Sequence, residues 1–141
     1  MIVLDTDHLS TLKHADSPKF VQLASKMADA EDQDFVTTVI SLEEQMRGWL
    51  ARIKQAKQIV NEIVPYDELI ALVDFFKLWV VLPFDAPAVV HFSELKQQKI
   101  SIGTMDLKIA SIAIANDATL LTANTQHFEK VPGLKFEDWI N

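Results

Sequence analysis

Four short apolar runs rich in β-branched residues set the limits on how this chain can fold. They are Ile2–Leu4, Phe35–Ile40, Trp79–Leu82 and Ala118–Thr122. Helical patterns lie between them, so strands and helices alternate. That alternation points to an α/β fold with a mostly parallel sheet. In such a sheet the strand C-termini share one edge with the N-termini of the helices that follow. Ligand and catalytic sites in open α/β sheets lie at that edge.

Polar groups from distant segments map to the same edge. Asp5 follows the first run directly, with Asp7 two residues on. Glu44 falls in the first turn after the second strand, and Asp106 in the first turn of a helix opened by Ile102-Gly-Thr-Met. Asn124 lies just past the fourth strand. Each has a local explanation. Asp5 can begin a turn, Asp106 suits a helix N-terminus, and Thr122 and Asn124 suit a turn. Glu44 can close a capping box with Ser41. No local propensity brings all of them to one edge.

Carboxylates gathered in one place repel one another, and at least one takes a proton unless a cation is bound. Mg²⁺ and Mn²⁺ prefer oxygen ligands. Such an ion activates water and stabilises charge on a phosphate. The expected chemistry is hydrolysis of a phosphodiester without a covalent intermediate.

The remaining elements read as follows. Ser17 caps a helix with Pro18 at its first position, running to about Ala30. Ser41 caps a long helix whose apolar stripe is Leu42, Met46, Trp49, Ile53, Ala56, Val60 and Ile63, stopped or kinked at Pro65. A second helical stretch, roughly Asp67 to Lys77, completes a hairpin with it. Asp85 caps a helix with Val89, Val90, Phe92 and Leu95 inward, and Thr104 caps one that is buried from Leu107 to Ala115. Pro132-Gly133 turns the chain into an edge strand within Leu134 to Trp139. Glu43 pairs with Arg47 four residues on and is the solvated acid. Glu44 shares its face with the small residues Gly48 and Ala51 and is the one turned to the site. His8, His14, His91 and His127 show no metal-binding spacing and read as surface or packing residues. Arg47, Arg52, Lys54, Lys57, Lys96 and Lys99 are candidates for phosphate contact, most of them serving as surface charge.

At 141 residues the chain is expected to form a single domain, residues 1–141. It has no cysteine, which excludes thiolate zinc sites, disulfides and a cysteine nucleophile. With three glycines it has no phosphate-cradling glycine loop. The N-terminus shows no basic leader, and Leu69 to Phe84 is too short and polar for a membrane span, so a cytoplasmic location is expected. A net charge of −7 argues against broad electrostatic binding of nucleic acid but not against a nuclease built on carboxylates.

Four motifs taken in order carry a resemblance: Leu4-Asp-Thr-Asp7, Ser41-Leu-Glu-Glu-Gln-Met-Arg-Gly48, Ile102-Gly-Thr-Met-Asp-Leu-Lys-Ile-Ala110 and the run Leu121 to Leu134. Together they resemble the PIN domain, in the form found in VapC-type toxins of bacterial toxin–antitoxin pairs. The middle of the chain, about Arg52 to Gln98, carries little of the signal. The resemblance implies a three-layer α/β/α sandwich and a Mg²⁺- or Mn²⁺-dependent endoribonuclease. It also implies a homodimer held inactive by a cognate antitoxin. The catalytic acids carry over onto Asp5, Glu44 and Asp106, with Asp5 and Asp106 as metal ligands. The fourth acidic position falls on Asn124, a neutral residue here, and Asp7 stands where the family usually has Asn. Asp7 thus becomes a candidate to replace the missing charge, with Thr6 and Thr104 as supporting hydroxyls. Two rival readings remain from the residues themselves. Asp5-Thr-Asp7 also mimics the nucleophile motif of haloacid dehalogenase-like phosphatases, and an inactive PIN-like or receiver-like binding module would share the acidic edge.

Overall fold

The computed structural model describes residues 1–141. The first strand, β1 (Ile2–Leu4), ends on Asp5, which at once caps a short helix, α1 (Thr6–Leu12). Sequence patterning does not reveal α1, because Asp5 serves as both strand end and N-cap. Ser17 caps α2 (Pro18–Asp29) as expected, its hydroxyl accepting from Phe20 N–H at 3.1 Å. Strand β2 (Phe35–Thr38) stops two residues earlier than the β-branched run suggests, and α3 (Val39–Gln55) begins immediately. Its cap is Thr38, whose Oγ1 accepts from Ser41 N–H at 3.2 Å. Ser41 is therefore inside the helix, buried, with an unpartnered hydroxyl. The cap and the burial of Ile40 outweigh the strand preference of Val39 and Ile40.

Helix α3 is shorter than its stripe predicts. Leu42, Met46 and Trp49 pack into the core, but the helix ends at Gln55, and Val60 and Ile63 are exposed. A 3₁₀ turn at Ile59–Glu62 leads into α4 (Ile63–Phe76), which folds back on α3 as the expected hairpin. Pro65 sits in the first turn of α4, where a missing N–H breaks no helical bond. Strand β3 keeps only Val81–Leu82 of the third apolar run. Asp85 caps α5 (Ala86–Gln97), with Ala88, Phe92 and Leu95 as the inward face. Val89 and Val90, which the pattern predicts to face inward, lie off that face and are exposed.

Helix α6 (Thr104–Ala115) is capped by Gly103 rather than Thr104, and no side chain caps it. Leu107 and Ile109 to Ala113 are buried, as the apolar run predicts. Strand β4 (Thr119–Leu121) leads to a one-turn helix, α7 (Thr125–Phe128), then to β5 (Lys135–Glu137) through Gly133 at φ +79°.

The strands form one parallel sheet in the order β3-β2-β1-β4-β5. Alternate residues of the central strands face opposite layers. Val3, Val36 and Leu120 join Ala88, Leu95, the α6 face and Phe128 in one core. Ile2, Leu4 and Leu121 join Leu9, Leu23, Leu72, Phe76 and Ile140 in the other. The result is the expected three-layer α/β/α arrangement. The chain winds from β1 outward to β3, then returns to place β4 on the other side of β1. The switch point thus lies between β1 and β4, and it locates the site.

The two caps competing for α3 can be told apart by denaturant unfolding. Thr38→Ala is expected to lower stability by about 1 kcal/mol. Ser41→Ala removes only an orphan hydroxyl and is expected to be neutral or slightly stabilising.

Candidate active site

The strand ends deliver Asp5 and Thr122 side by side across the switch point. Asp5 N–H donates to Leu121 O at 2.9 Å, which locks the two strand ends together. Asp5 Oδ1 accepts from Thr6 N–H at 2.7 Å, and Oδ2 accepts from the Thr122 hydroxyl at 2.9 Å. Thr122 is fully buried, and its oxygen in turn accepts Asn124 N–H at 3.0 Å. One hydroxyl therefore aims the central carboxylate and fixes the loop that carries Asn124. Its side chain reads in sequence as a turn residue; only the pairing of β1 with β4 reveals its role.

Glu44 lies in α3, and its Oε2 accepts from the Thr6 hydroxyl at 2.9 Å. It is thus not the carboxylate of a capping box. Glu43 pairs outward with Arg47 at 2.6 Å, as the spacing predicts. Asp106, in the first turn of α6, receives Asn124 Nδ2 at 3.4 Å. His127 Nδ1 lies 3.1 Å from the same Asp106 oxygen and 2.7 Å from Asn124 Nδ2. His127 is a surface residue, as it reads in sequence, and its ring also meets the Asp106–Asn124 pair. It gets there because α7 begins at Thr125 and turns position 127 back toward α6. Thr104 is exposed and makes no hydrogen bond to the acids.

Asp7 is fully engaged in holding other groups. Its Oδ2 accepts Ala123 N–H at 2.9 Å, with the Thr122 hydroxyl at 3.5 Å. Its Oδ1 accepts from His8 N–H and faces His8 Nδ1, both at 2.6 Å. These partners make it a clamp on the loop after β4 more than an open ligand position. His8 is a core residue with no exposure, as a packing role predicts.

The electrostatics link these groups. Burial pushes the Asp5 carboxyl up to about 7, helped by the charges of Asp7 and Glu44 and opposed by the Thr6 and Thr122 hydrogen bonds. Burial also raises Glu44, with the charges of Asp106, Glu43 and Asp7 adding to it against the Thr6 hydrogen bond. Glu44 thus feels acids on both sides of the cleft. No lysine or arginine pairs with Asp5, Asp7, Glu44 or Asp106. No three acid or histidine side chains close into a ready-made ion cage. Even so, the donor set is dominated by oxygen, mutually repulsive and without a lysine or arginine partner. Such a set fits a hard divalent cation. Asp5 and Asp106, with Glu44 between them electrostatically, are the residues that would hold it.

A cleft of about 730 Å³ includes none of these acids. It lies between α1, α3 and α4 and is lined by Lys13, Gln45, Trp49, Arg52, Glu68 and Phe75, among others. Burial lowers the Lys13 pKa despite the nearby Glu68 charge, and its ammonium sits 4.8 Å above the Phe75 ring.

A PIN domain family model matches residues 2–134, and the chain belongs to the PIN-domain family. The chain is 40% identical over 63 residues to Ribonuclease VapC2 of Rickettsia felis, covering 42% of this chain and 47% of that protein. It is 30% identical over 83 residues to the tRNA(fMet)-specific endonuclease VapC of Salmonella typhimurium, covering 56% and 63%. The matches thus span about half the length of these curated relatives. Among solved structures, VapBC-1 from nontypeable Haemophilus influenzae aligns over 100% of both chains at a TM-score of 0.75 and 22% identity. VapBC2 from Rickettsia felis, bound to a DNA fragment from its promoter, aligns over 99% of both at 0.65 and 25%.

The raised Asp5 pKa has a consequence for stability. Folding a carboxyl whose pKa rises from 3.8 to about 7 favours the protonated form. Its contribution is complete below the unfolded pKa and is lost as pH rises through about 7. In metal-free protein, Asp5→Asn is therefore expected to be more stable than wild type at pH 8, by about 4 kcal/mol at most. The difference should shrink toward zero near pH 4. Thermal melts in chelator across this range check it, and a constant difference with pH would count against the buried carboxylate.

Proposed function

We propose that this chain is a divalent-metal-dependent endoribonuclease and the toxin of a toxin–antitoxin pair. The observation that carries the reading is the set of unneutralised carboxylates, Asp5, Glu44 and Asp106, at the switch point of a PIN-family sheet. Asp5 and Asp106 would hold Mg²⁺ or Mn²⁺. When bound, the ion supplies Lewis acidity toward a phosphate oxygen and lowers the pKa of water.

The chain's own side chains do the positioning. Thr122 orients Asp5 through its hydroxyl, and Thr6 holds Glu44. Asn124 donates to Asp106 and so holds that carboxylate toward the loop after β4. As a neutral group at the fourth position, Asn124 lowers the repulsion a fourth acid would add. Lys13 and Arg52 in the neighbouring cleft supply positive charge where an RNA backbone would pass. Arg47 is already occupied by Glu43.

The ribonuclease and endonuclease names of the curated relatives support the RNA substrate. The solved VapBC relatives support an antitoxin partner. So does the surface of α4, where Ile63, Val64, Tyr66, Ile70 and Val73 are exposed together. A homodimer and a cytoplasmic location complete the proposal, with the 141 residues acting as one domain. No helix is long and apolar enough to cross a membrane. The phosphatase alternative needs both acids of Asp5-Thr-Asp7 turned to substrate, whereas Asp7 is bound to Ala123 and His8.

The test is incubation of the purified protein with total RNA and Mn²⁺, followed by sequencing of the new ends. Cleavage at defined positions is expected, abolished by EDTA and restored by added Mn²⁺. Asp5→Asn and Asp106→Asn should each lose at least about 100-fold, more than changes outside the ligand shell typically cost. Cleavage that persists in both variants would refute the assignment.

A further inference from the structure

His8 has no assigned part in the chemistry, yet it sits where two distant segments meet. It is the only histidine with no solvent exposure. Its Nε2 accepts the backbone N–H of Trp139 at 3.1 Å, across 131 positions of sequence. A nitrogen that accepts a hydrogen bond carries no proton, so the ring proton lies on Nδ1. Nδ1 is 2.6 Å from Asp7 Oδ1 and donates to it. The other Asp7 oxygen holds Ala123 N–H at 2.9 Å, next to Thr122, whose hydroxyl aims Asp5.

The C-terminal end of this chain of bonds is itself fixed. Asp138 Oδ1 accepts Ile140 N–H at 3.0 Å and Asn141 N–H at 3.2 Å, and Oδ2 accepts Asn141 Nδ2 at 2.8 Å. Partial burial alone would raise the Asp138 pKa, but these hydrogen bonds hold it below the usual carboxylate range. The resulting turn presents Trp139 N–H to His8. The Trp139 ring packs edge-on to Phe35 at a centroid distance of 6.3 Å, and Ile140 is buried in the core.

We infer that His8 is a positioning residue for the metal-dependent site, coupling the Asp138–Ile140 turn to Asp7 and so to the loop that orients Asp5. The inference rests on the metal-site reading above. Its physical basis is the rule that a second layer of hydrogen bonds fixes the orientation of ligating carboxylates. Asp7 alone has rotational freedom about its side-chain torsions. With His8 on one oxygen and Ala123 on the other, its plane is fixed, and Thr122 is held beside Asp5.

The test uses the full chain and three proteins: wild type, His8→Asn and His8→Leu. Asn keeps an N–H near the position of Nδ1; Leu keeps the volume and loses both bonds. Mn²⁺ affinity by titration calorimetry and RNA cleavage are measured on each, with folding checked by the ¹H–¹⁵N spectrum. His8→Leu is expected to lose roughly 10- to 100-fold in Mn²⁺ affinity or in kcat, with KM for RNA little changed. His8→Asn should recover part of the loss, which a purely space-filling role would not give. Unchanged Mn²⁺ affinity and unchanged kcat in folded His8→Leu overturn the inference. If wild type binds Mn²⁺ but cuts no RNA, the ribonuclease reading fails, while weakened Mn²⁺ binding in His8→Leu still supports the positioning role. Should His8→Leu not fold, the imidazole ¹⁵N shifts of wild type decide. A proton on Nδ1 with bare Nε2 supports the coupling, and a proton on Nε2 overturns it.

Discussion

The hydrogen bond from the Thr122 hydroxyl to Asp5 is the contact on which the site depends. It joins the ends of β1 and β4, the neighbouring strands between which the winding of the sheet reverses. Asp5, Asn124 and Asp106 are arranged from it. Asp5 is fixed from one side by Thr6 N–H and from the other by Thr122. The Thr122 oxygen then holds Asn124 N–H, and Asn124 reaches Asp106. A parallel sheet supplies this geometry without special local sequence, because its register sets Leu4 opposite Leu121. The apolar strands are thus both the core of the fold and the frame of the acids.

That frame works against its own stability. A buried carboxylate with Asp7 and Glu44 nearby is a poor structural element, and its burial and those charges push its pKa up to about 7. The fold tolerates it because the two apolar cores flanking the sheet are well filled on both faces. Residues that hold a cation well are residues that repel one another without it.

Much of this was legible in the sequence, for physical reasons that differ by element. The strands β1, β2 and β4 and the buried run of α6 follow from β-branched patterning and continuous apolarity. Glu43 and Glu44 separate correctly because helical spacing assigns them to different faces. The failures share a cause, in that tertiary contacts overrule local preference. Val39 and Ile40 enter a helix because Thr38 caps it, and Val60 and Ile63 face solvent because the chain turns back early as α4. Thr122 reads as a turn residue and His127 as a surface one for a related reason. Their significance lies in which strand or helix ends up beside them, and no spacing along the chain encodes that. Asp7 was legible as an acid of interest but not as a clamp, since its partners at positions 8 and 123 emerge only in three dimensions.

The separation of Asp5 from Thr122, 117 positions along the chain, also bears on how the protein comes into being. Pairing β1 with β4 closes a loop that spans most of the sequence, and the entropy of that closure is lost before the contact rewards it. Before it closes, Asp5 lacks the hydroxyl that aims it, and Asn124 and Asp106 belong to segments with no fixed relation to β1. A partly folded chain can therefore hold α3, α4 and their hairpin and still have no site. Competence is a property of the finished sheet.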